Sequence, residues 1–171
     1  MSKYSIIDFE TTGFGSYAKI LEIGAIRVDE HLNFIGEDDF GKFSSEIDIR
    51  TLVEWPKNHI SGIVREKGLY SEREAVDILV EFTKDSTIVG YNLNFEERIL
   101  RRFGVGITRK MDVMEILRKR FPLVNGKYSL DEYCKAFNVK RVAGHTALGD
   151  CVAVYDLLKE VTRQMEKKEK I

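Results

Sequence analysis

Two prolines in 171 residues, and no low-complexity run, leave little room for linkers or disorder. No stretch approaches about 18 uninterrupted apolar residues, and the N-terminus has no long apolar segment, which argues against membrane insertion and secretion. Charge of one sign is missing too: 27 Lys and Arg face 28 Asp and Glu, so net charge neither demands nor excludes a polyanionic partner. Cysteine is scarce. Cys134 and Cys151 lie in apolar, helix-like segments without C-x-x-C spacing, which favours two reduced core thiols over a disulfide, a zinc site or a redox pair, and hence a cytoplasmic location.

What is present is enough apolar residue, 43%, to bury one core, so residues 1–171 read as a single domain whose charged end, from about 165, frays. The segments "KYSIID", "KILEIGAIRVD" and "LNFIGEDDFGKFS" are rich in β-branched and aromatic residues and read as an antiparallel meander. Ser71 with Glu74 has the form of a capping box, followed by Ala75, Ile78, Leu79 and Phe82 at helical spacing over about 71–84. "STIVGYN" reads as a buried strand ending in a loop, with a helix marked by Phe95, Ile99 and Phe103 behind it. "VMEILRKRF" is amphipathic, Ser129 with Glu132 suggests a second capping box opening "LDEYCKAF", and the last helix starts near Thr146. Strands first, then helices mixed with one or two further strands, predict an α/β fold with a central mixed sheet flanked by helices.

The first strand carries two acids. In "YSIIDFETTGFG", Asp8 and Glu10 are two residues apart and therefore share one face, while Ile7 and Phe9 fill the other. Paired carboxylates at a sheet centre repel and lose hydration unless a cation or hydrogen-bond donors compensate, and a divalent metal is the natural compensator. A bare D-x-E is common, and a solvated edge strand explains it equally well. Further along, Glu96 stands at a helix entrance just after the second buried strand, where ligands gather in α/β sheets. Asp150 follows His145 by five residues on the last helix. Each has a bland alternative: Glu96 as a solvated first-turn acid, Asp150 as a surface residue, His145 as a loop histidine.

Their joint order decides. "DFETTG", "YNLNFEERIL" and "HTALGD", with "HISGI" at 59–63 and "YSLDEYCKAFNV" at 128–139, resemble the motifs of the DEDD superfamily of 3′–5′ exonucleases, in its histidine-bearing, DnaQ-like branch. The resemblance spans nearly the whole chain. It implies a ribonuclease H-like fold, two Mg²⁺ or Mn²⁺ ions, and release of nucleoside monophosphates from the 3′ end of DNA or RNA, with DNA polymerase association as a further possibility. By motif match Asp8, Glu10, Glu96 and Asp150 are metal ligands and His145 the general base. Glu96 replaces the family's usual aspartate, and Tyr91 stands in place of a usual histidine. The residue types agree with the chemistry: carboxylates are the hard ligands such ions prefer, and a histidine near neutrality can take a proton from water.

Around the acids, Thr11, Thr12, Gly13 and Asn92 offer hydroxyls, open backbone and an amide for the terminal sugar. Phe14 and Ile60 resemble the family's apolar contacts to the terminal base, with a place in the core as the equal alternative. The competing function is a catalytically weakened module that binds nucleic acid or a polymerase, which the Glu96 substitution makes conceivable.

Overall fold

The computed structural model describes residues 2–15, 17–35, 42–43, 71–141 and 146–169. Strand β1 (Lys3–Thr11) lies at the middle of a five-stranded sheet of order β3-β2-β1-β4-β5, with β2 (Ile20–Asp29), β3 (Lys42–Phe43), β4 (Thr87–Gly90) and β5 (Lys110–Asp112). β1 to β3 are antiparallel, whereas β4 joins the other edge of β1 in parallel and β5 joins β4 in parallel. The expected meander continues past β2 through a bridge between Val28 and Phe34.

The alternation along β1 and β2 divides the core. Ile6, Ile26 and Val28 pack against α3 (Val113–Arg120), α4 (Leu130–Ala136) and α5 (Ala147–Glu169). Ile7, Phe9, Ile23 and Ala25 pack against α1 (Glu72–Phe82) and α2 (Asn94–Arg101). Helices therefore cover both faces of the sheet, as the sequence predicts.

Local signals account for most boundaries. Ser71 and Glu74 form the full reciprocal capping box at α1. At α4 only half of the expected box forms: the Ser129 hydroxyl accepts from the Glu132 amide, but the Glu132 carboxylate accepts from Asn125 Nδ2 at 2.7 Å instead of turning back to Ser129. A loop amide competes successfully for that side chain. α5 continues through Glu169, beyond the fraying expected from about 165. Cys134 and Cys151 are buried and free, and burial pushes the Cys134 thiol up to about 11 and that of Cys151 well above its usual range.

Candidate metal centre

β1 outruns its parallel neighbour. It pairs with β4 only from Tyr4 to Ile6, so Asp8 and Glu10 project beyond the carboxyl end of β4, where the sheet opens. Opposite them on β2, Asp8 faces Gly24 and Glu10 faces Glu22, on the sheet face that α5 covers. Gly24 is what lets the helix come close: an added Cβ there would lie 2.4 Å from the Ala147 carbonyl carbon and 2.6 Å from Leu148 N. The Thr146 hydroxyl accepts from the Gly149 amide at 3.0 Å and so caps the helix start, leaving Asp150 in its first turn above the strand acids. Asp8, Glu10 and Asp150 each offer a carboxylate oxygen within 4.8 Å of the others.

Glu96 approaches from α2. It is only 3% exposed, and its Oε2 has no hydrogen-bond partner among the described residues. A buried, orphaned carboxylate oxygen is costly unless something absent from the protein completes it. Burial pushes the Glu96 carboxyl up to about 8, with the Asp112 charge adding to it and its own backbone hydrogen bond and Arg98 opposing. Asp8 is held well above the usual carboxylate range by burial first, then by the charges of Glu96, Asp150, Glu10 and Glu22. The acids thus share one field, and a divalent cation fits it: hard oxygen donors, excess negative charge and one unsatisfied buried oxygen.

That field has a sign that can be measured. A carboxyl whose pKa is higher in the folded chain holds its proton more tightly there, so the stability it lends is full below the unfolded value and is lost as pH rises toward the folded one. Without metal, the melting temperature should fall between pH 6 and pH 8, by roughly 4–8 °C for about 2 kcal/mol from Glu96 alone. Glu96→Gln should flatten most of that slope, and saturating Mn²⁺ should abolish it in the parent chain. Thermal denaturation in EDTA across this range checks the point, and a flat parent curve would mean that these carboxyls ionise at no cost.

The loop between β1 and β2 is tied to α2. The Thr11 hydroxyl donates to the Gly13 carbonyl at 2.7 Å, and Thr12 pairs with Lys19 through its amide at 3.0 Å and its hydroxyl at 2.9 Å. Arg98 donates to the Phe14 carbonyl at 3.0 Å, and Arg102 to that of Ala18. Gly13 has nothing within 4 Å of where a side chain would start. Phe14 is 87% exposed with its ring edge-on to Phe95, which removes the core reading and leaves an aromatic face presented to solvent. Ile60 and His145 lie outside the described residues.

Asn92 adopts a left-handed turn, φ 64°, a conformation asparagine tolerates. Asp112 holds that turn: its carboxylate accepts from the amides of Asn92 at 3.2 Å and Leu93 at 2.8 Å while capping α3 through Glu115 N. Tyr91 donates its hydroxyl to the Tyr128 carbonyl, an internal bond that anchors the segment, and burial pushes the phenol well above its usual range. Sequence reasoning missed Glu22, Gly24, Asp112 and Arg141. Asp112 and Glu115 do carry a D-x-x-E helix-start signature, and Glu22 interrupts an apolar strand in step with Gly24 and Ile26. Arg141 had no local signal.

Comparison with known proteins gives the chain a family and a fold. The family profile RNase_T, described as exonuclease, matches residues 5–158. The PolC-type DNA polymerase III of Halalkalibacterium halodurans is 27% identical over 170 residues, covering 92% of this chain and 11% of the polymerase. That of Pediococcus pentosaceus is 31% identical over 157 residues, covering 86% and 10%. The chain thus spans about a tenth of the length of these relatives. In fold it is similar to exonuclease I, with a TM-score of 0.73 at 21% identity over 95% of this chain and 41% of the other. The E. coli exonuclease I complex with a dT13 oligonucleotide gives 0.72 at 20% identity, covering 99% and 43%. The fold is ribonuclease H-like, and the chain belongs to the RNase_T exonuclease family as an exonuclease domain of the DEDD type.

Proposed function

We propose that this chain is a metal-dependent 3′–5′ exonuclease domain that releases nucleoside monophosphates from the 3′ end of DNA or RNA. The observation that carries the reading is the meeting of Asp8, Glu10 and Asp150 oxygens within 4.8 Å beside the orphaned, buried Oε2 of Glu96. These four residues would hold two Mg²⁺ or Mn²⁺ ions. Ions held there would supply an activated water and a stabilised leaving oxygen. His145, one residue before the Thr146 cap and five before Asp150, would take a proton from the attacking water as general base. Phe14 offers its exposed face to the terminal base, a stacking contact that any base can make, while Thr11, Thr12, Gly13 and Asn92 border the sugar.

The weakened-module alternative loses ground at Glu96. The longer side chain remains buried and its charge acts on Asp8, which supports a place for it at the edge of the acidic site, outside the three acids whose oxygens meet within 4.8 Å. Association with a DNA polymerase is a further proposal, supported by the PolC-type relatives. No helix among the described residues is long and apolar enough to cross a membrane, and the two free thiols support a reducing cytoplasmic setting.

Incubation with 5′-labelled single-stranded DNA and RNA in Mg²⁺, Mn²⁺ or EDTA tests the reading. The expected result is a metal-dependent ladder shortened from the 3′ end. Intact substrate in both metals, or shortening that EDTA does not stop, would overturn it.

A further inference from the structure

Arg141 sits at the edge of the acidic field. Arg141 is the last described residue before the segment that carries His145, and its side chain is 15% exposed. One guanidinium nitrogen, Nη2, pairs with Oδ1 of Asp150 in the first turn of α5. The other, Nη1, pairs with Oδ1 of Asp131 in the first turn of α4. Asp131 is half exposed and Asp150 only 20% exposed, so the fork runs from the surface inward to the carboxylate that meets Asp8 and Glu10.

We propose that Arg141 is a positioning residue for the cation site: by engaging one oxygen of Asp150 it fixes the rotation of that carboxylate and leaves the other oxygen for the ion. A planar, two-pronged donor suits this task, whereas an ammonium group can act only as a point charge. The inference rests on Asp150 being a cation ligand, as proposed above.

Electrostatics makes the sign of the test informative. Removing a positive charge from beside an acidic site should tighten cation binding if Arg141 merely neutralises excess charge. If it positions Asp150, binding should weaken, by about 10-fold or more, as loss of an outer partner of a metal ligand does. The measurement is Mn²⁺ affinity from the electron paramagnetic resonance signal of free Mn²⁺, on full-length protein without nucleic acid. Arg141→Met should weaken binding, Arg141→Lys should recover only part of it, and Asp131→Asn, which removes the outer anchor from an exposed site, should weaken it in the same direction. Arg141→Lys decides the matter if Arg141→Met fails to fold by circular dichroism, because it keeps the charge and loses only the two-pronged geometry. Binding as tight as or tighter than the parent in these variants overturns the role of Arg141 and leaves the cation site standing. Failure of the parent itself to bind Mn²⁺ overturns the site, and this inference with it.

Discussion

Asp8→Asn lowers the rate of 3′-end hydrolysis by at least about 10²-fold, the order expected when one strong electrostatic stabiliser is removed from a reaction centre. Asp8 is the hub of the acidic field, since Glu96, Asp150, Glu10 and Glu22 all act on its ionisation. Asparagine keeps the size of the side chain but replaces an anionic oxygen with a neutral amide, so it can neither attract a divalent ion nor repel the neighbouring acids. The same substitution should therefore stabilise the metal-free chain: with Asp8 neutral, the remaining carboxyls ionise against less opposition, and the melting temperature in EDTA at pH 8 should rise. Addition of Mn²⁺ should then stabilise the variant far less than the parent. Loss of rate with gain of metal-free stability is a signature that simple misfolding cannot produce. Near-parental turnover would sink the assignment of Asp8 as a ligand, and a drop in stability would show that the carboxylate has some other structural partner.

The acid pair was legible because strand periodicity is a local rule: residues 8 and 10 must share a face once 6–10 is a strand. The α1 cap was legible for the same reason, being written within one helix. What could not be read was what depends on partners distant in sequence. β5 is three residues with no buried position and exists because β4 offers it a parallel edge. The Ser129 signature is indistinguishable from that of Ser71, yet Asn125 captures Glu132 and leaves the second box half made. Arg141 reads as one basic residue among 27 until α4 and α5 bring two carboxylates to it. Arg98 and Arg102 hold the loop that carries Phe14 through carbonyls more than eighty residues away in the chain, which no local pattern announces.

Gly24 was the least visible of the site's determinants, and its replacement should have the second large effect. Nothing in "LEIGAIRV" tells that residue 24 lies beneath the start of a helix more than a hundred residues later. Yet a Cβ at that position would stand 2.4 Å from the carbonyl carbon of Ala147 and 2.6 Å from both its oxygen and Leu148 N. These are backbone atoms and cannot rotate out of the way, so Gly24→Ala must push the start of α5 off the sheet by roughly 1 Å to reach ordinary contact distance. Overpacking of this kind costs about 1–3 kcal/mol, or roughly 2–12 °C in melting temperature for a chain of this size. The functional loss should be larger than the loss of stability suggests, because Asp150 rides on that turn and must keep its oxygen within reach of Asp8 and Glu10. A displacement of about 1 Å at a reacting centre can cost on the order of 10²-fold in rate. Mn²⁺ affinity should fall alongside the rate, since the same carboxylate is withdrawn. Gly106→Ala, where an added Cβ meets nothing within 4 Å, is the control for glycine removal as such and should leave rate and metal affinity unchanged. If Gly24→Ala behaves like that control in rate, metal affinity and melting temperature, close approach of α5 to β2 is not what places Asp150 over the strand acids, and its position must be set from the α4 side.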